Sequence, residues 1–300
     1  MTRGSARAQV PHGGAERYAH AAATAASTVV GEYSTSFGRA TRLLREPVRG
    51  HVRVIYALVR VADEIVDAPD LALTAEERAA YLDALEEQTL TALRTGFATD
   101  LVVHAFAHTA REHGIGPDLV RPFFASMRTD LHASRHDERS YATYVHGSAE
   151  VVGLMCLRVF VAAPDADDEM RAHGYERLAP AASRLGAAFQ KVNFLRDLAA
   201  DRDDLGRAYV PGLDPHALTD AQRDALLDDV DADLAAAAAG VAALPRSSRR
   251  GVRAAHDLFA ALSARLRATP AERIAAERVR VPAPTKALVV ARTLLPAGWR

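Results

Sequence analysis

The sequence predicts an all-α protein organised as a single domain. From Ala15 onward Ala, Leu, Arg and Glu dominate, and the period-two alternation of β-branched residues that marks strands is scarce. Proline and glycine punctuate the chain at Pro47, Pro69, 114–117, Pro164, 211–215, Pro245, Pro270 and 282–284, which divides it into about ten helices. No repeat period and no sharp shift in composition marks a domain boundary. A chain of 300 residues with 49% hydrophobic composition is long enough to bury roughly 75% of its unfolded surface. Residues 1–15, rich in Gly and Ser, read as a disordered leader, and 16–300 as the folded domain.

Composition excludes several classes of function. The net charge is −1 and the pI about 6.9, so no global field draws the chain to nucleic acid or to an anionic membrane. Arg far outnumbers Lys, a bias that suits bidentate contacts to phosphate or carboxylate and that high genomic GC content also produces. The single cysteine, Cys156, rules out an intramolecular disulfide and a cysteine-based zinc site, and its place in an apolar run suits a small buried hydrophobe. No apolar h-region follows Arg3 and Arg7, and no segment reaches the roughly 18 to 20 apolar residues of a membrane span. The expectation is a soluble cytoplasmic protein with no obligatory protein partner.

The elements follow in order. The small polar stretch from Tyr33 to Gly38 precedes a helical run and reads as an N-cap region. In the helix predicted over 51–67, Val52, Ile55, Leu58, Val59 and Ala62 form an apolar stripe, and Pro69 ends it. Arg60, Asp63, Glu64 and Asp67 crowd its last turns. Three acids at a helix C-terminus sit against the macrodipole, and a bound cation would supply the missing reason. Thr74 with Glu77 three residues on is a capping-box pattern. The run from Tyr144 to Val161 carries Gly147, Ser148, Ala149 and Gly153, which allow a second helix or a ligand to approach the backbone; Glu150 within it needs a partner if buried. Thr219 with Gln222 repeats the cap pattern, and Pro270 opens a helix running through Arg273 to Glu277. Near the end, 277–286 sets three cations in a proline-rich stretch that reads as a solvated linker before a last short helix.

The stretch 190–211, QKVNFLRDLAADRDDLGRAYVP, carries the strongest functional signal. On one continuous helix Gln190, Asp197 and Asp201 fall within roughly 40° of one another, with Asn193 on the flank. Alone, the stripe is either a solvated acidic end or a ligand-facing wall. Asp63/Asp67 and Asp197/Asp201 are, however, two i, i+4 carboxylate pairs on separate helices, each with an Arg in the same turn. Such pairs hold Mg²⁺ by one or two oxygens and leave its other positions to water and substrate phosphate. Arg60, Arg196 or Arg207 would take the remaining phosphate charge. The chemistry indicated is departure of a diphosphate to leave a carbocation in an apolar cavity. A di-iron carboxylate bundle would need Glu-x-x-His pairs, and a nucleotide or zinc site its P-loop, Gly-x-Gly-x-x-Gly or His-Glu-x-x-His; the sequence has none of these.

Five motifs in order, YSTSF (33–37), YALVRVADEIVD (56–67), YVHGSAEVVGLM (144–155), the stretch 190–211 and ERVRVP (277–282), resemble those of the squalene/phytoene synthase family of head-to-head prenyl transferases. The resemblance covers most of the chain and is closest to bacterial carotenoid-type phytoene synthases. It implies an isoprenoid-synthase-type helical bundle around a central cavity. It also implies that Asp63, Asp67, Asp197 and Asp201 are the catalytic metal ligands, with Glu64 as a further acid. Gln190 and Asn193 would line the site beneath the diphosphates, Arg60, Arg196 and Arg278 would bind phosphate, and Ser34 and Ser36 would be small polar diphosphate contacts. Tyr144 matches a tyrosine at the cavity implicated in the second half-reaction. The implied activity is condensation of two geranylgeranyl diphosphates to phytoene through a cyclopropylcarbinyl diphosphate in carotenoid biosynthesis, with Mg²⁺ or Mn²⁺ and without NADPH. The alternatives are a squalene or dehydrosqualene synthase acting on farnesyl diphosphate and, more remotely, a non-catalytic binding protein of the same fold. Lipid substrates make peripheral membrane contact compatible with this reading. Two positions depart from the family pattern: Ala200 stands where Glu is common, with Asp204 one turn on as a substitute, and Tyr33 where His is frequent.

Overall fold

The computed structural model describes residues 13–33, 37–68 and 72–294. Among them the chain forms α1 (Gly14–Tyr33), α2 (Phe37–Thr41), α3 (Val48–Asp67), α4 (Ala75–Thr95), α5 (Leu101–His113), α6 (Pro117–His132), α7 (Glu138–Val145), a π-helical turn (His146–Glu150), α8 (Val151–Val161), α9 (Asp168–Arg196), α10 (Leu198–Asp203), α11 (Asp220–Ala243), α12 (Arg246–Arg267), α13 (Ala271–Ala276) and α14 (Ala283–Leu294). The described residues contain no strand, only an isolated bridge between Arg135 and Ala208. The all-α class holds. The expected ten helices are fourteen; of the added breaks, the one at Asp197 carries neither proline nor glycine, and the π turn is marked by Gly147 alone. Most of the expected leader, and Pro69, lie outside the described residues; Gly14 and Ala15 already belong to α1.

Local sequence explains the main boundaries. Both capping boxes form: Thr74 with Glu77 opens α4, and Thr219 with Gln222 opens α11. Pro270 precedes α13. Gly96 and Gly114 end α4 and α5 in the left-handed region, which glycine enters without strain.

Two helices organise the packing. The 29-residue α9 packs against α8, the π turn, α11 and α12, while α3 packs against α1, α5, α6 and α8. The stripe on α3 (Val48, Val52, Ile55, Leu58, Ala62 and Val66) is buried with Phe106, Phe123 and Phe124 in the larger hydrophobic core. The small residues of 144–156 bring backbones together. A Cβ on Gly186 of α9 would lie 2.6 Å from the Ala149 carbonyl oxygen, and one on Gly147 would lie 2.3 Å from that of Pro122. Glu150 finds its partner in the His146 ring, whose Nδ1 is 3.0 Å away.

The continuous helical run Glu138–Val161 corrects one expectation. It is long and apolar enough, at a mean hydropathy of 1.3, to cross a bilayer by length and composition. Small residues rather than an unbroken apolar block give it that character. In this fold it packs between α6 and α9 as a core element.

Candidate active site

The acids of α3 and those of the α9–α10 junction face one space. Asp63 and Asp67 close α3, where the carbonyl end of the helix offers carboxylates no support. Asp197 ends α9 with φ −101° and ψ 6°, so the continuous helix expected through Asp201 is kinked there. The hydrogen bonds from Asp197 N to Asn193 O (2.8 Å) and from Asp201 N to Asp197 O (2.9 Å) carry the turn across the kink, which keeps both acids on the same side. Burial raises the Asp63 carboxyl to about 7, and repulsion from Asp67 and Asp130 adds to the rise. Burial also raises Asp201 to about 7, joined by repulsion from Asp197, Asp67 and Asp130. Asp67 and Asp130 therefore act on both groups, as they would across a shared cavity mouth.

Arginines occupy the remaining acids. Arg60 pairs with Glu64 on α3. Arg196 reaches Asp197 with Nε at 2.9 Å, and Arg278 approaches the same carboxylate at 2.7 Å. Arg207, only 7% exposed, lies 2.7 Å from Asp67 and 3.9 Å from Asp130. It is thus committed to an acid rather than free for phosphate. Asp63, Glu64, Asp67, Asp130, Asp197 and Asp201 are six acids against the four arginines 60, 196, 207 and 278, and none of the described ion pairs involves Asp63 or Asp201. When every acid is ionised the imbalance is two negative charges, divided between the walls, which matches one divalent cation.

Beneath the acids lies a network that sequence reasoning missed. Asp130 on α6 accepts hydrogen bonds from the Tyr144 hydroxyl (2.7 Å) and the Tyr209 hydroxyl (3.1 Å), and Arg207 donates to Tyr209 at 3.0 Å. Burial raises Asp130 to about 6 against the pull of Arg207. Phe194 stacks on Tyr209 with ring centroids 4.5 Å apart, and Tyr144 packs at 5.2 Å from Tyr209. Tyr209 and Arg207 had a signal, the GRAYVP end of the long motif. Asp130 had none, being one acid on an amphipathic helix. Tyr144 is only 4% exposed, bonded to Asp130, and not on the wall of the apolar cavity. Burial carries its hydroxyl well above the usual range, so it remains a neutral donor.

The other expected residues are placed as follows. Asn193 has a buried Oδ1 with no hydrogen-bond partner, and Gln190 stands half-buried three residues before it. Ala200 and Asp204 are exposed, and Asp204 enters none of the described ion pairs, so the substitute acid is not drawn in. Ser34 and Ser36 lie outside the described residues.

An apolar cavity of about 230 Å³ runs between α3, α8, α9, α11 and α12. Val52 and Val59 line it from α3, Gly186 and Phe189 from α9; one turn further along the same helices stand Asp63 and Asn193. Thr41 and Ser148 are the polar residues on an otherwise apolar wall. The fold thus joins a charged mouth to a greasy interior, the environment of a ligand with an anionic head and a long hydrocarbon tail.

The squalene/phytoene synthase family model matches residues 30–285, and the chain belongs to that family of head-to-head prenyltransferases, whose substrates are prenyl diphosphates. A 15-cis-phytoene synthase from Paracoccus sp. is 29% identical over 255 residues, covering 78% of each chain. A 4,4'-diapophytoene synthase from Staphylococcus haemolyticus is 26% identical over 182 residues, 60% of this chain and 59% of that one. Among solved structures, a dehydrosqualene synthase in complex with ligand superposes with a TM-score of 0.73 at 17% identity, covering 93% of this chain and 97% of the other, and so shares the fold.

Proposed function

We propose that the chain condenses two molecules of geranylgeranyl diphosphate to phytoene, using Mg²⁺, or Mn²⁺ in its place, and no NADPH. The observation that carries the proposal is the unbalanced pair Asp63 and Asp201, one on each acidic wall, with Asp63 one turn along α3 from the cavity-lining Val59. Asp63, Asp67, Asp197 and Asp201 would hold the metal, and the partnerless Asn193 Oδ1 fits a site completed by a ligand. Bound there, Mg²⁺ neutralises diphosphate charge and favours its departure. The chain's own residues do the rest. Arg60, Arg196 and Arg278, now paired with Glu64 and Asp197, would hold phosphate oxygens once those acids were engaged by the metal.

In the first half-reaction the C1–O bond of one substrate breaks, and the C2=C3 bond of the second attacks C1. Proton loss gives the cyclopropylcarbinyl diphosphate. The second half-reaction breaks the remaining C–O bond, and rearrangement with loss of a proton gives the triene. The apolar cavity excludes water from both cations. Tyr144 acts as a positioning residue, holding Asp130 and through it Arg207.

The Paracoccus relative, named a 15-cis-phytoene synthase and matched over 78% of its length, supports the twenty-carbon substrate. The Staphylococcus relative, named a 4,4'-diapophytoene synthase, favours the second reading, condensation of farnesyl diphosphate. Purified protein given each diphosphate with Mg²⁺ decides between them. The proposal expects a C40 triene from geranylgeranyl diphosphate; a C30 product as the preferred outcome, or a need for NADPH, overturns it.

A further inference from the structure

A second group of metal-type ligands lies at the opposite end of α3. His51 in its first turn meets Glu112 and His113 in the last turn of α5, and one ligand atom from each lies within 4.8 Å of the others. The two carboxylate oxygens divide between the imidazoles: Glu112 Oε2 is 4.0 Å from His51 Nε2, and Oε1 is 3.9 Å from His113 Nε2. His51 and Asp63 are twelve positions apart on one helix, about 18 Å, so this group is separate from the acidic mouth.

Three features distinguish it from a chance surface cluster. The His113 side chain is only 8% exposed, yet neither ring nitrogen makes a hydrogen bond. A buried imidazole without partners is costly unless something else satisfies it. His51 Nδ1 is 3.0 Å from the buried Thr109 hydroxyl. That contact fixes the ring and directs Nε2 toward Glu112, the outer-shell arrangement common to metal-ligating histidines. Finally, the group caps the C-terminus of α5, where the helix dipole favours a cation. Burial lowers both imidazoles below their ordinary range, which keeps them in the neutral, ligating form.

We propose that His51, Glu112 and His113 bind a late first-row divalent transition metal, with Zn²⁺ as the best match, and so clip α3 to α5. Two imidazoles and a carboxylate form a borderline-soft donor set that suits Zn²⁺ over the hard Mg²⁺ of the acidic mouth. Ligand atoms around tetrahedral Zn²⁺ stand about 3.3 Å apart. The three ligand atoms, one from each residue and within 4.8 Å of one another, therefore close by up to about 1.5 Å to hold the ion. Glu112 is 49% exposed, so the ion enters from solvent and keeps a water. The exposed His108, whose Nδ1 is 3.8 Å from Glu112 Oε2, is within reach as a fourth ligand.

The test uses the full chain, stripped with a chelator and then held in excess Mg²⁺ so that the acidic mouth is occupied. Calorimetric titration with Zn²⁺ is expected to show one equivalent bound. Saturation to about a hundredfold over Kd should raise Tm by about 5 °C. His113→Ala should abolish both effects. Glu112→Gln, a half-exposed change that preserves shape, should weaken binding at least tenfold while leaving prenyl transfer intact. Co²⁺ substitution should give the visible absorption of a nitrogen-ligated tetrahedral site in the wild type and not in Glu112→Gln. The proposal is overturned if the Mg²⁺-loaded wild type binds no Zn²⁺, or if Glu112→Gln binds it with unchanged affinity and an unchanged Co²⁺ spectrum. Those readouts do not depend on His113→Ala remaining folded.

Discussion

Asp63→Asn should stabilise the metal-free protein while destroying its activity. The Asp63 carboxyl moves from an ordinary 3.8 to about 7, mainly through burial and then through repulsion by Asp67. A raised carboxyl binds more protons in the folded state than in the unfolded one, so stability falls as pH rises from about 4 to about 7 and stays low above that. At 1.36 kcal/mol per pH unit, the penalty at pH 8 is roughly 4 kcal/mol. Asn has the same shape and no charge. The substitution should therefore raise Tm at pH 8 by about 4–8 °C without metal and flatten the pH dependence between 5 and 8. Saturating Mg²⁺ should stabilise the wild type at pH 8 and leave the variant almost unmoved. Differential scanning calorimetry with EDTA and with Mg²⁺, at pH 5 and pH 8, reads all of these quantities. A variant less stable than the wild type at pH 8 would refute the claim that Asp63 is an uncompensated acid awaiting a cation.

Other residues give independent checks. Arg207→Ala strips the buried counter-charge from Asp67 and Asp130. It should cost about 3 kcal/mol of stability by denaturant titration and abolish turnover. Tyr144→Phe removes one of the two hydroxyls bonded to Asp130 and should cost about 1–3 kcal/mol. Because Asp130 then rises further from about 6, the acidic limb of the kcat profile should move to higher pH, which a purely structural loss would not cause. Cys156→Phe fills part of the apolar cavity and should depress kcat/KM for geranylgeranyl diphosphate more than for farnesyl diphosphate, measured by competition.

The scaffold was legible where local chemistry is decisive. The capping boxes at Thr74 and Thr219, the start after Pro270 and the stripe of α3 all follow from residues a few positions apart. The two acid pairs were legible for the same reason, since i, i+4 spacing places carboxylates on one side of a turn. What sequence could not supply was the state of each charge. That Arg196 and Arg278 share Asp197, and that Arg207 is spent on Asp67, depends on contacts spanning up to 140 positions. Asp130 was invisible because nothing beside it in the chain shows that two distant tyrosines bond to it. Tyr144 came from resemblance, and the bond from its hydroxyl to Asp130 had no signal of its own in the sequence. The kink at Asp197 escaped notice because neither proline nor glycine marks it.

The central claim is that the walls bearing Asp63 and Asp197 serve one diphosphate-ionising site. Mg²⁺-dependent release of diphosphate from geranylgeranyl diphosphate tests it directly in the wild type, Asp63→Ala and Asp197→Ala. The expected result is two diphosphates released per hydrocarbon formed by the wild type, with release reduced to background in each variant, because one wall cannot hold the ion alone. Release at the wild-type rate by either variant would contradict it.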